Sequence, residues 1–426
     1  MPNKAYSGYL NPKYAPKADL VAAFYLEPAA RVSFEEAAQA VASESSIGTW
    51  TNLSTLSPKM KRKLHARVFS LNKRSGIVKI AYPLSLFENG SVPQLLSSIA
   101  GNVFGMEEIK NLRLLDINFP NRYIRSFRGP AFGIDGVRRI LKVPKRPLLG
   151  TIVKPKLGLN ERQHANVALQ AWLGGCDIVK DDENLTNMRF NHFDKRVRKT
   201  LKARDKAEKE TGERKAYMPN VTAPFKEMVK RAKFAKAQGS EYAMVDVLSV
   251  GWSALQNLRD KNLGLILHAH RAGHAAFTRS SKHGISMLLI AKLCRLIGVD
   301  QIHVGAIVGK MHGGKKEVKA IGEEIEDTIV YKGRNHVLSE NWLNIKPVFA
   351  VCSGGLHPGK IPPLVKAMGN DIIIQLGGGI HGHPLGTRHG AIAARQALEA
   401  TLAGVPLKYA AMKEFELALA LRKWGE

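Results

Sequence analysis

Between Leu149 and Ile374 the chain repeats one pattern, a short apolar run followed by a longer helical stretch, and few folds accommodate that repeat. The runs are Leu149-Gly150-Thr151-Ile152-Val153, Cys176-Asp177-Ile178-Val179, Ala216-Tyr217-Met218 and Ala243-Met244-Val245-Asp246-Val247. They continue with Leu265-Ile266-Leu267, Gln301-Ile302-His303-Val304, Val348-Phe349-Ala350-Val351 and Ile372-Ile373-Ile374. Strands alternating with helices in this way predict an α/β fold, a (β/α)8 TIM barrel. An open doubly wound sheet competes with it, but no Gly-rich dinucleotide fingerprint follows the first strand.

The first 130 residues lack that regularity. Leu20–Leu26 reads as a strand, followed by a helix opened by Ser33 and Glu36, the two ends of a capping box. Arg67–Leu71 and Gly76–Tyr82, joined by Asn72-Lys73-Arg74-Ser75, predict a hairpin. A helix over Val92–Val103 and a strand over Leu112–Ile117 complete a β-α-β-β-α-β order, which fits a small ferredoxin-like α+β domain. Gly129-Pro130-Ala131-Phe132-Gly133 punctuates the chain. The expected domains are therefore 1–130 and a barrel domain over 131–426 that ends in a short helical tail, and a chain of 426 residues is long enough for both.

The formal net charge of +28 raises the question of a polyanionic partner. Two basic runs contribute, Lys59-Met60-Lys61-Arg62-Lys63 and the series Lys195, Arg196, Arg198, Lys199, Lys202, Arg204, Lys206 and Lys209. The second follows helical spacing and reads as a solvated helix face. No aromatic residues interleave with either, so the stacking platform of a single-strand binder is missing and nucleic acid is not the expected partner. Cys176, Cys294 and Cys352 lie far apart, without metal-type spacing, as suits a reducing compartment. With no apolar leader and no run near the roughly 20 residues needed to span a bilayer, the expected location is cytoplasmic, away from membranes.

In a barrel, the C-terminal ends of the strands converge on one site. Here those ends carry Lys154-Pro155-Lys156, Lys180-Asp181-Asp182-Glu183, His268-Ala269-His270-Arg271 with His274 beyond, His303, Ser353-Gly354-Gly355 and Gly377-Gly378-Gly379. Lys180 and Asp182 share a strand face and Glu183 starts the turn, whereas Asp181 points the other way. Carboxylate oxygens suit Mg2+, and CO2 added to a neutral Lys180 amine would supply a third anionic oxygen. A solvated ion pair is the plainer reading of that run taken alone. His268 and His270 could be ligands or core histidines, and the glycines could be tight turns or backbone cradles for phosphate. Lys310 sits between glycines in Gly309-Lys310-Met311-His312-Gly313-Gly314, a loop able to move as a lid. Together the set suggests metal-assisted enolisation of a bisphosphorylated sugar. A His-x-His with a carbamylated lysine also occurs in barrel amidohydrolases, in the reverse order along the chain.

Nearly end to end, the chain resembles the large subunit of ribulose-1,5-bisphosphate carboxylase/oxygenase (RuBisCO). The resemblance rests on Glu44-Ser45-Ser46-x-Gly48-Thr49-Trp50, Gly101-Asn102-Val103-Phe104-Gly105, Lys154-Pro155-Lys156-Leu157-Gly158 and Gly174-Gly175-Cys176-Asp177-x-x-Lys180-Asp181-Asp182-Glu183-Asn184. It continues through His268-x-His270-Arg271-Ala272-x-His274, His303-x-Gly305, Gly309-Lys310, Ser353-Gly354-Gly355 and Gly377-Gly378-Gly379. It implies carboxylation of ribulose 1,5-bisphosphate to two 3-phosphoglycerates, with O2 competing with CO2. Activator CO2 would be held as a carbamate on Lys180, which with Asp182 and Glu183 would bind Mg2+. Lys154 would be the enolising base, supported by Lys156, His270 would act in hydration and cleavage, and Lys310 would stabilise the new carboxylate. Arg271, His303 and Ser353 would hold one end of the substrate. Thr49, Trp50, Gly354, Gly355, Gly377 and Gly378 would hold the other, and Gln375 joins the substrate-binding set. Glu44, Thr49, Trp50 and Asn102 would complete the site of a neighbouring subunit. A homodimer is thus the implied minimum, with larger assemblies of dimers allowed and no small subunit required.

Gly355-Leu356-His357-Pro358-Gly359, Ala276-Phe277-Thr278-Arg279, His283-Gly284-Ile285-Ser286-Met287 and the short C-terminus look like the archaeal-type (form III) enzymes, which implies a route of AMP or nucleoside salvage. Gly273, Ala306, Ile152, Ile380 and His381 depart from common family residues without removing an acid, base or ligand. A RuBisCO-like enolase or isomerase of sulfur or sugar-phosphate metabolism is the alternative. Such relatives typically lose loop or phosphate-binding residues that are present here.

Overall fold

The computed structural model describes residues 6–308 and 314–426. By compactness these fall into two units, one running up to Arg128 and including Gly273–Leu296 and Asp327–Ile345, the other comprising Gly129–Ala272, Ile297–Glu326 and Lys346–Glu426.

The first unit is built on strands β1 (Leu20–Pro28), β2 (Arg67–Asn72), β3 (Ile77–Tyr82) and β4 (Ile109–Asn118). β1 lies between β3 and β4, antiparallel to both, and β2 flanks β3, the arrangement expected of a ferredoxin-like sheet. A two-residue strand, Gly284–Ile285, extends the sheet to five by pairing parallel to β4. Ser33 caps the helix Phe34–Glu44 through the expected capping box, closed by Glu36. The helix predicted over Val92–Val103 is shorter than the sequence pattern indicates, running over Val92–Ile99. At Gly101 the chain folds back so tightly that a Cβ would lie 2.3 Å from the Ser97 carbonyl oxygen, and a separate 3-10 turn follows over Asn102–Gly105.

All eight predicted barrel strands form in the second unit: Leu148–Ile152, Ile178–Lys180, Ala216–Met218, Tyr242–Asp246, Ile266–His270, Gln301–Gly305, Phe349–Ser353 and Ile372–Leu376. They make one parallel sheet in the order third, second, first, eighth, seventh, sixth, fifth, fourth. The seam between third and fourth strands is closed by a single bridge, Asn220 to Met244, with Val221 N donating to Met244 O at 3.0 Å and Met244 N to Pro219 O at 2.9 Å. Helices cover the outer faces, so the strands are buried on both sides and read as unbroken apolar runs. Leu148, Ile178, Met218, Tyr242, Met244, Ile266, Phe349, Val351 and Ile373 fill the N-terminal part of the lumen, and the helix Gly133–Leu141 plugs that end with Ile134, Val137 and Leu141.

The basic runs part company here. The helix Pro58–Leu64 buries none of its side chains. On the helix Phe193–Thr211, by contrast, Arg196 and Arg204 are buried, which corrects the reading of that series as a wholly solvated face. Arg204 pairs with Glu241 at 2.9 Å, and Arg196 serves the site below. Among the described residues no helix is long and apolar enough to cross a membrane.

Candidate active site

Lys180 ends the second barrel strand, in register with Ile152 and Met218, and its side chain is fully buried. Its Nζ donates to the Asp181 carbonyl at 2.9 Å, lies 3.4 Å from Met244 Sδ and 3.6 Å from Glu183 Oε2. Burial lowers its affinity for a proton below that of an ordinary lysine, with the nearby Glu183, Asp182 and Asp246 opposing the effect. Lys154, just past the first strand, donates to Asp182 Oδ2 at 2.5 Å, while Asn184 N and Nδ2 hold Asp182 Oδ1 at 3.1 and 2.9 Å. Burial pushes the Asp182 carboxyl up, but these hydrogen bonds outweigh it and keep the group below the usual carboxylate value. Glu183 shows the same balance, burial against the charges of Lys180 and His270.

Asp181 faces the other way, as the strand alternation predicts, into a fully buried polar hub. Its carboxylate accepts from Arg196 Nε at 3.1 Å, Tyr217 Oη at 2.6 Å and Asn220 N at 2.9 Å, and His164 Nε2 lies 3.1 Å away. Arg196 also donates to the carbonyls of Thr186 and Asn191, and Asn220 Nδ2 to Glu183 O at 3.0 Å. Asp181, between the candidate ligands Lys180 and Asp182, thus anchors the loop from behind.

His270 Nδ1 lies 2.6 Å from Asp246 Oδ1. A carboxylate accepts there, so the ring proton sits on Nδ1 and Nε2 is left facing Glu183 Oε2 at 3.6 Å. Asp246 was missed by the sequence reading, although an acid at the end of an apolar barrel run was the available signal. Beside His270 stand His268, His303, Gln301 and Ser353, linked by hydrogen bonds. Arg271 is nearly buried, and desolvation lowers its pKa to about 10. Gly305 makes room for it, since a Cβ there would lie 2.9 Å from Arg271 Nη2. Gly377 likewise leaves space beside Lys154 Cε, and Gly354, Gly355 and Gly378 follow the seventh and eighth strands.

Gln375 is 1% exposed, yet neither atom of its amide has a hydrogen-bond partner. Burying an unpaired amide costs on the order of 1–3 kcal/mol, which a ligand or water would offset. Gln375→Met is therefore expected to raise stability by about 1 kcal/mol in urea titration while raising the substrate KM, and a loss of both would show a packing role.

His381, one of the departures from the family pattern, has a structural use. Thr151 Oγ1 donates to Leu376 O at 2.6 Å and so accepts from His381 Nε2 at 3.0 Å, leaving Nδ1 to accept from Thr387 Oγ1 at 3.0 Å. Burial lowers this imidazole from 6.5 to about 4. The unfolded chain takes up a proton that the folded one refuses, so stability falls as pH drops from 6.5 toward 4, by up to about 1.4 kcal/mol per unit. Thermal melts of His381→Asn should show a shallower decline than wild type over that window. Ile380 and Ala306 are buried, and Gly273 has φ 78°.

Lys156 stands exposed two residues beyond Lys154, and Lys310 lies outside the described residues. In the first unit Asn102 Nδ2 donates to Glu44 Oε1 at 3.3 Å, Thr49 is half-buried and Trp50 is 71% exposed. Among the described residues no three His, Cys, Asp or Glu side chains converge as a ready-made metal site. The residues nonetheless fit a hard cation, because Asp182 and Glu183 supply two oxygen ligands beside an amine that carbamylation would convert into a third.

Residues 133–424 match the family model of the ribulose bisphosphate carboxylase large chain, catalytic domain, and residues 8–123 match its N-terminal domain. The chain is 54% identical to a ribulose bisphosphate carboxylase of Methanosarcina acetivorans, over 98% of this chain and 99% of that one. It is 51% identical to one of Methanocaldococcus jannaschii, over 98% and 99%. Among solved structures it resembles a dimeric archaeal Rubisco of Hyperthermus butylicus (TM-score 0.93, 45% identity, 99% of both chains). It also resembles an octameric Rubisco of Pyrococcus horikoshii, a sulfate complex (TM-score 0.91, 48% identity, 99% and 97% coverage). Likeness of this extent, carried through both parts of the chain in order, makes it a member of the ribulose bisphosphate carboxylase large-chain family, on that family's archaeal side.

Proposed function

We propose that the chain is a Mg2+-dependent ribulose-1,5-bisphosphate carboxylase/oxygenase whose site is primed by CO2 on Lys180. The observation that carries this is the wholly buried Lys180 amine set beside Glu183 and Asp182, with Lys154 paired to Asp182. A carbamate forms only on a neutral amine, and burial favours that form of Lys180. Mg2+ held by the carbamate, Asp182 and Glu183 would supply Lewis-acid stabilisation of negative charge at the substrate oxygens.

The remaining work belongs to the chain. Asp182 would help hold the cation, and Lys154, once its ammonium proton has passed to solvent, takes the proton beside the substrate carbonyl. His270, held by Asp246, presents Nε2 to the water that hydrates the carboxylated product, and its protonated form serves in the cleavage that follows. Arg271, nearly desolvated, binds one phosphate and with His303 and Ser353 holds that end of the substrate, and the backbone N–H groups at Gly354, Gly355, Gly377 and Gly378 bind the other phosphate. Gln375 takes a polar group of the sugar, Lys156 supports Lys154 once substrate is bound, and Lys310 closes over CO2.

Glu44, Thr49, Trp50 and Asn102 we assign to the site of a second copy, making the homodimer the active unit. The exposure of Trp50 supports this, and dimeric and octameric archaeal relatives are consistent with it. Domain limits of 1–130 and 131–426, a cytoplasmic location and a place in nucleoside monophosphate salvage complete the proposal.

The test is incubation with Mg2+, labelled bicarbonate and ribulose 1,5-bisphosphate. Labelled 3-phosphoglycerate is expected. Enolisation or isomerisation of the sugar phosphate without label would instead make the chain a RuBisCO-like enolase.

A further inference from the structure

A chain of hydrogen bonds runs through the barrel from its packed core to its mouth. Gln301 Nε2 donates to Tyr242 Oη at 3.0 Å, and Gln301 Oε1 lies 3.0 Å from His268 Nδ1. His268 Nε2 lies 2.9 Å from His303 Nε2, and His303 Nδ1 lies 2.8 Å from Ser353 Oγ. Tyr242, Gln301 and His268 are fully buried and His303 is 3% exposed, while Ser353 is half-buried at the end of the seventh strand. The two imidazoles meet edge to face, their planes 87° apart.

The chemistry of each link sets the sense of the next. An amide oxygen only accepts, so His268 carries its proton on Nδ1 and leaves Nε2 bare. A bare nitrogen 2.9 Å from another nitrogen requires a proton on the second, so His303 is protonated at Nε2 and bare at Nδ1. Among the described residues the Ser353 hydroxyl, 2.8 Å away, is the donor to that nitrogen. Desolvation drives both rings far below the ordinary imidazole pKa, so each carries a single proton, and the Gln301 oxygen set against His268 gives the chain its sense.

We infer that Tyr242, Gln301 and His268 are positioning residues that fix the tautomer of His303 and thereby present Ser353 to the substrate as a hydrogen-bond acceptor. This rests on the function proposed above, and it adds that the group facing Ser353 is a hydroxyl of the sugar phosphate, a donor, and not a phosphate oxygen. None of the three residues touches substrate. Their effect is exerted through His303, and the amide of Gln301 is the element that orients it.

The tautomers can be read directly from magic-angle-spinning spectra of the full chain labelled with 15N-histidine, in its own oligomeric state, with His268→Asn and His303→Asn used for assignment. Protons on Nδ1 of His268 and Nε2 of His303 are expected, and a proton on Nδ1 of His303 would overturn the inference. Gln301→Leu removes the acceptor, so both rings should show mixed tautomers and KM for ribulose 1,5-bisphosphate should rise about tenfold with a smaller change in kcat. Gln301→Glu, which can only accept, should restore the wild-type spectrum and bring KM to within about twofold. Unchanged spectra and KM in Gln301→Leu would remove Gln301 from the relay. If that variant does not fold, Gln301→Met, which keeps the side-chain length but lacks the amide acceptor, tests the same chain, and an unchanged spectrum counts against it. A wild-type protein without carboxylase activity would defeat the proposed function, while the spectra would still decide the relay.

Discussion

Replacing Lys180 with methionine is expected to reduce carboxylation by at least about a thousandfold, to the background of the assay. Methionine keeps the length and apolar stem of a side chain that is entirely buried, so the fold should survive and the loss should report chemistry. The same variant should fail to retain labelled CO2 in the presence of Mg2+, whereas wild type retains one equivalent per chain. Lys180→Arg sharpens the comparison, because a guanidinium keeps the positive charge beside Glu183 but cannot form a carbamate. Wild-type turnover in either variant would remove the carbamate from the mechanism and return Lys180 to the role of a buried counterion.

The second large effect lies behind the site. Arg196→Met should destabilise the second unit by roughly 3–5 kcal/mol, because it leaves the fully buried Asp181 without its cation. The urea midpoint should fall accordingly, and adding Asp181→Asn to the same chain should recover part of the loss. Activity should fall more than stability at temperatures where the variant remains folded, since Asp181 shares the loop with Lys180, Asp182 and Glu183. A shift of less than about 1 kcal/mol would mean that Tyr217, Asn220 and His164 suffice to hold the carboxylate.

Much of this was legible in the sequence, for identifiable reasons. Parallel strands covered by helices need apolar residues on both faces, so the eight runs stand out, and alternation along the second strand separates Asp181 from Lys180 and Asp182. The strand ends then name Lys154, His270, Arg271, His303 and Ser353 without reference to coordinates. What escaped notice was set by register between strands distant in sequence. Asp246 meets His270 because the fourth and fifth strands pair at those residues, and Gln301 meets His268 through the pairing of the fifth and sixth. Arg196 was lost among the lysines of its helix, because composition alone does not tell a cation facing the barrel from one facing water.

The lone bridge between the third and fourth barrel strands carries more than closure. Asn220 makes that bridge, and the same residue bonds Asp181 through its backbone and Glu183 through its side chain, while Met244 across the gap lies against the Lys180 amine. If the barrel breathes, it parts most readily at this seam, where amide exchange should be fastest among its strands. Each opening would lift the floor from beneath Lys180 and admit small molecules to an amine otherwise sealed from solvent. If Lys180 is carbamylated as proposed, the weakest stitch in the sheet would double as an entry by which CO2 reaches it.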